Sequence, residues 1–257
     1  MEIRPERPRS LAPREHGAYG QLAFPLLCAL ALGRPTWAAA LSCLAFAAFF
    51  AAHEPALVLA GKRGARAREI GGRRARKVLA AWFAIGFVAG LSGFVLAPPA
   101  SRLAWIAPSL LGAALVGAVA LDREKTLAGE LLAAAALSSA AMPVAIASGA
   151  PAAAATVSWA VWLAAFGAAT IAVRAAILRH RGLERGALAA GAVAAIGVCV
   201  CALSVSRTVP LWPALPMIAA ASVLALRPPR MKSMQRIGWT LVGASACTAV
   251  LLVAALR

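Results

Sequence analysis

Apolar residues are grouped along this chain into long runs, and short polar segments separate each run from the next. A helix needs about 20 apolar residues to cross the hydrocarbon core of a membrane, and nine runs come close to that length. They cover residues 17–33, 36–57, 78–98, 103–121, 127–149, 153–173, 186–205, 210–226 and 237–256. The pattern predicts an all-α, polytopic membrane bundle of about nine transmembrane helices. We expect one transmembrane domain over residues 1–257, with a polar tail at 1–14.

The composition agrees with a membrane location. Hydrophobic residues make up 62% of the chain and the mean hydropathy is +0.80, whereas soluble domains are about 45–50% apolar. The net charge of +17 would also suit a nucleic-acid-binding protein. However, no basic stretch is interleaved with aromatic residues, as such proteins commonly have. We therefore expect membrane lipid as a partner and no nucleic acid.

The basic residues predict the orientation. All but four of the 26 Lys and Arg residues lie in the N-terminal tail or near the connections that follow runs 2, 4, 6 and 8. Cytoplasmic segments of membrane proteins collect Lys and Arg. The sequence thus predicts a multi-pass protein of the bacterial cytoplasmic (inner) membrane, with its N-terminus in the cytoplasm and its C-terminus outside.

Polar residues open the first run. Glu15 and His16 precede it, and Tyr19 and Gln21 follow within two helical turns. Because Gln21 lies inside the apolar run, we expect this face to line a pocket. The alternative is the start of an interfacial helix.

A second polar group closes run 2, where His53 and Glu54 precede Pro55 and the basic connection that contains Lys62. Proline disfavours the helical conformation of the residue before it, so we expect the helix to bend or break there. A broken helix at membrane depth is tolerated mainly where it lines a cavity. His53 and Glu54 could then serve as acid–base groups; otherwise they are solvated charges at a helix end.

Two further segments follow runs 4 and 6. Acidic and basic residues alternate over 122–125, which suggests pairing within a turn, while Glu130 lies deeper in run 5. Arg174 and Arg181 are seven residues apart and would share a helix face. Guanidinium groups grip phosphates through paired hydrogen bonds, so this row suits an anionic ligand. Alternatively, these arginines only mark the cytoplasmic side.

These segments carry a resemblance to a known family. The sequence REHGAYG at 14–20, HEP at 53–55 and RIGW at 236–239 make the chain resemble the YwiC-like bacterial membrane proteins. The resemblance implies an integral membrane protein and names no substrate.

The chain is also distantly similar to UbiA-type intramembrane prenyltransferases. The likeness lies in the polar segments after runs 2, 4 and 6, with Lys125-Thr126 leading into a glycine-bearing run 5. It implies a helical bundle around a cavity that opens to the cytoplasm. UbiA-type enzymes hold Mg²⁺ on a prenyl diphosphate with two Asp-rich motifs. Here the first position offers one carboxylate, Glu54, and the second offers none, so we expect no metal site and no cofactor, and Mg²⁺ dependence is in doubt.

These observations favour a UbiA-like membrane protein whose cytoplasm-facing cationic cavity binds an isoprenoid or lipid phosphate. Whether it is also an enzyme stays open; if so, it would be a metal-independent, prenyltransferase-like transferase. The residues expected to bind the ligand are Arg174, Arg181, Lys62, Lys125, Glu130, Gln21 and Tyr19, and the candidate catalytic residues are Glu54, His53, His16 and Glu15. The alternatives are a transporter or flippase for an anionic amphiphile and a non-catalytic partner in a membrane complex. Few polar residues lie on the predicted outer side, which disfavours transport.

Overall fold

A computed structural model describes residues 11–12, 16–180, 186–205, 210–227 and 234–257. The described residues form eleven α-helices, and a 3₁₀ turn at Trp212–Ala214 precedes the tenth. The helices are α1 His16–Ala31, α2 Trp37–Leu59, α3 Ala65–Leu96, α4 Pro99–Ala104, α5 Ile106–Ala120, α6 Leu127–Ser139, α7 Ala141–Ala147, α8 Ala152–His180, α9 Gly186–Val205, α10 Leu215–Leu226 and α11 Met234–Leu256. These regions contain no strand.

The predicted helical membrane bundle is confirmed. Seven helical segments are long and apolar enough to cross a membrane, with α4 and α5 counted as one segment and α6 and α7 as another. The first and eighth runs form shorter apolar helices, Gly17–Ala31 and Trp212–Leu226. Each of the nine apolar runs is therefore helical.

Prolines divide two of the runs. Pro108 lies four residues after the end of α4 at Ala104, and Pro143 lies four residues after the end of α6 at Ser139. A proline ring collides with the carbonyl group four residues earlier and removes a hydrogen bond, which explains both interruptions. Pro55, in contrast, lies inside a continuous helix. The expected break there is wrong, because α2 runs on to Leu59 with Glu54 and Pro55 buried.

The bundle interior is built around α8. Trp162 is fully buried and its ring stacks between those of Phe24 and Phe166. Buried residues of α8, α10 and α11 form one apolar cluster, and those of α1, α2 and α7 form another. In contrast, α3, α5 and α9 leave most of their apolar residues exposed, as expected of helices that face lipid.

Glycines hold α3 close against α2. A Cβ atom at Gly93 would lie 2.9 Å from the Ser42 Oγ atom, and one at Gly86 would lie 2.9 Å from the Phe49 ring. Small residues allow helix backbones to approach closely in membranes. Gly86 and Gly93 therefore serve packing within the chain.

The helix connections meet at two opposite ends of the bundle. At one end, the Arg34 amide donates to the Ser148 carbonyl oxygen at 2.7 Å, and the Thr36 hydroxyl donates to that of Ala147 at 2.8 Å. At the other end, side chains join the α2–α3 connection, the α5–α6 turn and the last turns of α8. We call this second end the basic end, because the first turns of α3 add six Lys and Arg residues to it.

Candidate functional site

A buried ion pair lies where α2 meets the α2–α3 connection. Arg63 donates through Nε to Glu54 Oε1 at 2.9 Å and through Nη2 to Oε2 at 2.6 Å. The Glu54 side chain is 1% exposed and that of Arg63 is 20% exposed. Two parallel bonds between a guanidinium group and a carboxylate fix the geometry as well as neutralise the charge. The pair therefore lets Glu54 be buried as an anion.

A second ion pair joins the same connection to the α5–α6 turn. Lys62 Nζ lies 2.5 Å from Asp122 Oδ1 and donates to the Ala120 carbonyl oxygen at 3.4 Å. Asp122 has a positive φ of 56°, which non-glycine residues rarely adopt. Its side chain is 77% exposed, and exposed ion pairs contribute little stability. This pair orients the two segments without holding them strongly.

A third ion pair joins the α5–α6 turn to α8. Arg174 Nη1 lies 2.8 Å from Glu130 Oε1 and donates to the Lys125 carbonyl oxygen at 3.0 Å. Thr126 caps α6: its hydroxyl accepts from the Gly129 amide at 3.1 Å and donates to the Arg123 carbonyl oxygen at 2.7 Å. The cap fixes the turn on which Lys125 lies.

The structure places the remaining predicted residues as follows. His53 and Gln21 are half-buried, and the Lys125 side chain is exposed. Tyr19 is exposed, and its ring contacts that of Phe50 edge to face at 5.1 Å between centroids. His16 begins α1, but only its backbone is described. Glu15 and Arg181 lie outside the described residues.

These contacts change the electrostatics expected at the basic end. Lys62 and Arg174 were predicted to hold an anion, and each now lies against a carboxylate of its own. Glu54, predicted as an acid–base group, is bound to Arg63. Three cations and three carboxylates thus compensate one another. The first turns of α3 add six further Lys and Arg residues and one acidic residue, Glu69.

An apolar groove of about 860 Å³ lies between α1, α2 and α3. Its size falls within the usual range for small-molecule sites, and such sites are mostly apolar with a few polar groups. It is lined by Leu11, Ala12, Tyr19, Leu22, Ala23, Leu26, Leu27, Leu30, Cys43, Leu44, Ala47, Phe50, Ala51, Arg74, Val78 and Trp82. Arg74 is the charged residue of this lining, and Tyr19 carries a phenol group.

The lining residues show how the groove is oriented. Arg74, Val78 and Trp82 are four residues apart, so they share one face of α3. Along α1 the lining extends from Tyr19 to Leu30, about 16 Å at 1.5 Å per residue. Arg74 and Tyr19 mark the basic end, whereas Leu30 and Cys43 lie deeper. The groove is therefore an open apolar channel along the three helices, and we call its end at Arg74 the mouth.

Sequence reasoning missed Arg63, Arg74 and the groove. The spacing of Arg74, Val78 and Trp82 offered a weak signal, because it continues an apolar helix face into a basic segment. The described residues contain no group of three or more His, Cys, Asp or Glu side chains that could hold a metal ion. The arrangement offers charge and apolar surface for binding.

One of three comparisons with known proteins gives a match. A family model described as YwiC-like protein matches residues 12–146, about half of the chain. This region includes the groove from Ala12 onward and the Glu54–Arg63 and Lys62–Asp122 ion pairs, whereas Arg174 lies beyond it. No curated protein and no solved structure matches the chain.

Proposed function

The chain belongs to the YwiC-like family, and we propose that it is a membrane protein that binds an isoprenoid or lipid phosphate at its basic end. The observation that carries this proposal is the groove, which places one cation at the mouth of a long apolar channel. In this proposal the basic end faces the cytoplasm, where Lys and Arg collect, and the membrane is the bacterial inner membrane. A UbiA-like helix arrangement is part of the proposal and rests on the placement of the polar segments alone.

The shape of the groove suits an amphiphile. The apolar walls would take a hydrocarbon chain from the surrounding lipid, since α3 leaves much of its apolar surface exposed. The phosphate would then lie at Arg74, whose guanidinium group can donate two parallel hydrogen bonds. Tyr19, whose side chain carries a phenol group, also lines the groove. An isoprenoid phosphate and an acyl phosphate share this chemistry.

The ion pairs have a different part in this proposal. Arg174, Lys62 and Arg63 pair with carboxylates and so link the α2–α3 connection, the α5–α6 turn and α8 to their neighbours. Phosphate binding by Arg174 or Lys62 would have to displace a carboxylate, whereas Arg74 has no partner in the described ion pairs. The geometry supports binding more directly than it supports transfer chemistry.

Replacing Arg74 by glutamine is expected to lower the phosphate-bearing lipid that co-purifies with the protein by about tenfold, since a hydrogen bond to a charged group contributes about 1.5–3 kcal/mol. The measurement is quantitative mass spectrometry of lipids extracted from protein purified in mild detergent. Arg68→Gln is the matched control, because Arg68 lies on the same helix, is exposed and does not line the groove. Arg174→Gln tests the ion-paired arginine as the competing phosphate site.

A second pair of variants tests the apolar channel without changing charge. Ala47 lines the groove, and Ala40 lies seven residues earlier on α2 and does not. Ala47→Phe should reduce lipid retention, and Ala40→Phe should leave it unchanged. Titration of delipidated protein with farnesyl phosphate and dodecyl phosphate then distinguishes an isoprenoid from an acyl chain. Unchanged retention in both Arg74→Gln and Ala47→Phe, or a loss in Arg174→Gln alone, would refute the proposed site.

A further inference from the structure

The first three turns of α3 carry a second cationic surface outside the groove. Residues 65–77 include six Lys and Arg residues and a single acidic residue, Glu69. Gly72 and Ala75 are buried, so this side of the segment faces the protein. At about 100° per residue, Arg73 and Lys77 lie opposite Ala75, Arg76 lies at the edge beside Gly72, and all three are exposed. We call these three residues the basic face.

The position of the basic face along α3 sets its depth in the membrane. The apolar part of the helix, 78–96, has a length of about 28 Å, which matches a hydrocarbon core of about 30 Å. Val78 thus lies near the hydrocarbon boundary. Lys77, Arg76 and Arg73 lie within about 8 Å beyond it, the thickness of one headgroup layer. Arg68, about 15 Å beyond Val78, lies outside that layer.

The described contacts leave the basic face available. None of the ion pairs among the described residues includes Arg73, Arg76 or Lys77. None of the three lines the groove, to which Arg74 contributes instead. Below the basic face, α3 presents exposed Phe83 and Phe87. A lipid whose chains lie against these rings would have its headgroup at the level of Arg73 and Lys77.

We propose that Arg73, Arg76 and Lys77 form a docking face for the headgroups of anionic phospholipids of the surrounding bilayer. The charge, the exposure and the depth together favour a lipid headgroup, because the three residues lie within the layer that the headgroups of a bilayer occupy. The face gathers anionic lipid around α3, beside the mouth of the groove. The inference does not depend on the groove being occupied.

The test compares two variants of the full chain that lose the same charge. Arg73→Gln/Lys77→Gln removes two cations from the headgroup layer, and Arg66→Gln/Arg68→Gln removes two from beyond it. Each variant is reconstituted in phosphatidylcholine vesicles that contain spin-labelled phosphatidylglycerol or spin-labelled phosphatidylcholine. The ratio of the two motionally restricted fractions gives the preference for the anionic lipid. Thermal melting followed by tryptophan fluorescence shows that each variant is folded.

We expect wild type to prefer phosphatidylglycerol over phosphatidylcholine. In Arg73→Gln/Lys77→Gln this preference should fall at least fivefold, because each basic residue near an anionic surface contributes a factor of about five. Arg66→Gln/Arg68→Gln should stay within twofold of wild type, and the charge-preserving Arg73→Lys should match wild type. Equal losses in the two double variants, or none in Arg73→Gln/Lys77→Gln, would overturn the proposal. Lipid retention in Arg74→Gln and Ala47→Phe is measured in a separate experiment, so failure of the groove proposal is recognised separately.

Discussion

Arg63→Met is expected to lower the free energy of unfolding by about 3 kcal/mol, the largest loss from removing one side chain at the basic end. The Glu54 carboxylate is 1% exposed and receives two hydrogen bonds from Arg63. Removing one partner of a buried ion pair costs about 3–5 kcal/mol, because the remaining charge stays buried after it loses its counter-charge. The partial exposure of Arg63 places the expected value at the lower end of this range. Reversible unfolding in mixed detergent micelles, followed by tryptophan fluorescence, measures it.

Lys62→Met is the matched control for this prediction. Lys62 is adjacent to Arg63 and also pairs with a carboxylate, but its partner Asp122 is 77% exposed. Exposed ion pairs contribute about 0–1 kcal/mol, so this variant should unfold close to wild type. The double variant Glu54→Leu/Arg63→Met should recover much of the loss, because apolar residues can replace a buried ion pair. Equal losses in Arg63→Met and Lys62→Met would show that burial of Glu54 does not determine the effect.

The contrast between Lys62 and Arg63 shows how much of the site can be predicted from the sequence. The alternation of nine apolar runs predicts that segments after runs 2, 4 and 6 meet at one end, and the Lys62–Asp122 and Arg174–Glu130 contacts confirm this meeting. The choice of partners is not predictable in this way. Lys62 and Arg63 are neighbours of similar chemistry, and the turn that ends α2 directs one to Asp122 and the other to Glu54. The sequence does not encode that direction in any periodic pattern.

The length of α3 shows a second limit of prediction from the sequence. The basic residues of 62–77 suggested a polar connection, yet α3 begins at Ala65 and continues without interruption to Leu96. Alanine and arginine are strong helix formers, so the segment can extend the span into the headgroup layer. An apolar-run criterion detects burial in lipid and does not detect such an extension. The groove was missed for a related reason, because the apolar residues of three helices that line it look like ordinary lipid-facing residues in the sequence.

Gly129→Ala is expected to destabilise the protein by about 2 kcal/mol through the α5–α6 turn. A Cβ atom at Gly129 would overlap the Arg123 carbonyl oxygen and lie 2.7 Å from that of Glu124. These are backbone atoms and cannot rotate aside, and inserting a methyl group into a packed site typically costs about 1–3 kcal/mol. The turn also positions Asp122 for Lys62 and the Lys125 carbonyl group for Arg174. The substitution should therefore weaken both links between this turn and its neighbours.

Gly117→Ala provides the control, because a Cβ atom at Gly117 would meet nothing within 4 Å. In the interior of α5 the change from glycine to alanine favours the helix by up to about 1 kcal/mol, so this variant should be as stable as wild type or more so. The measurement is the unfolding experiment used for Arg63→Met. Restricted proteolysis between residues 121 and 126 should also be faster in Gly129→Ala, since a displaced turn loses the Thr126 cap. Equal free energies of unfolding for Gly129→Ala and Gly117→Ala would show that the turn can adjust to the added methyl group. The close approach at Gly129 would then not be what holds the α5–α6 turn against α8.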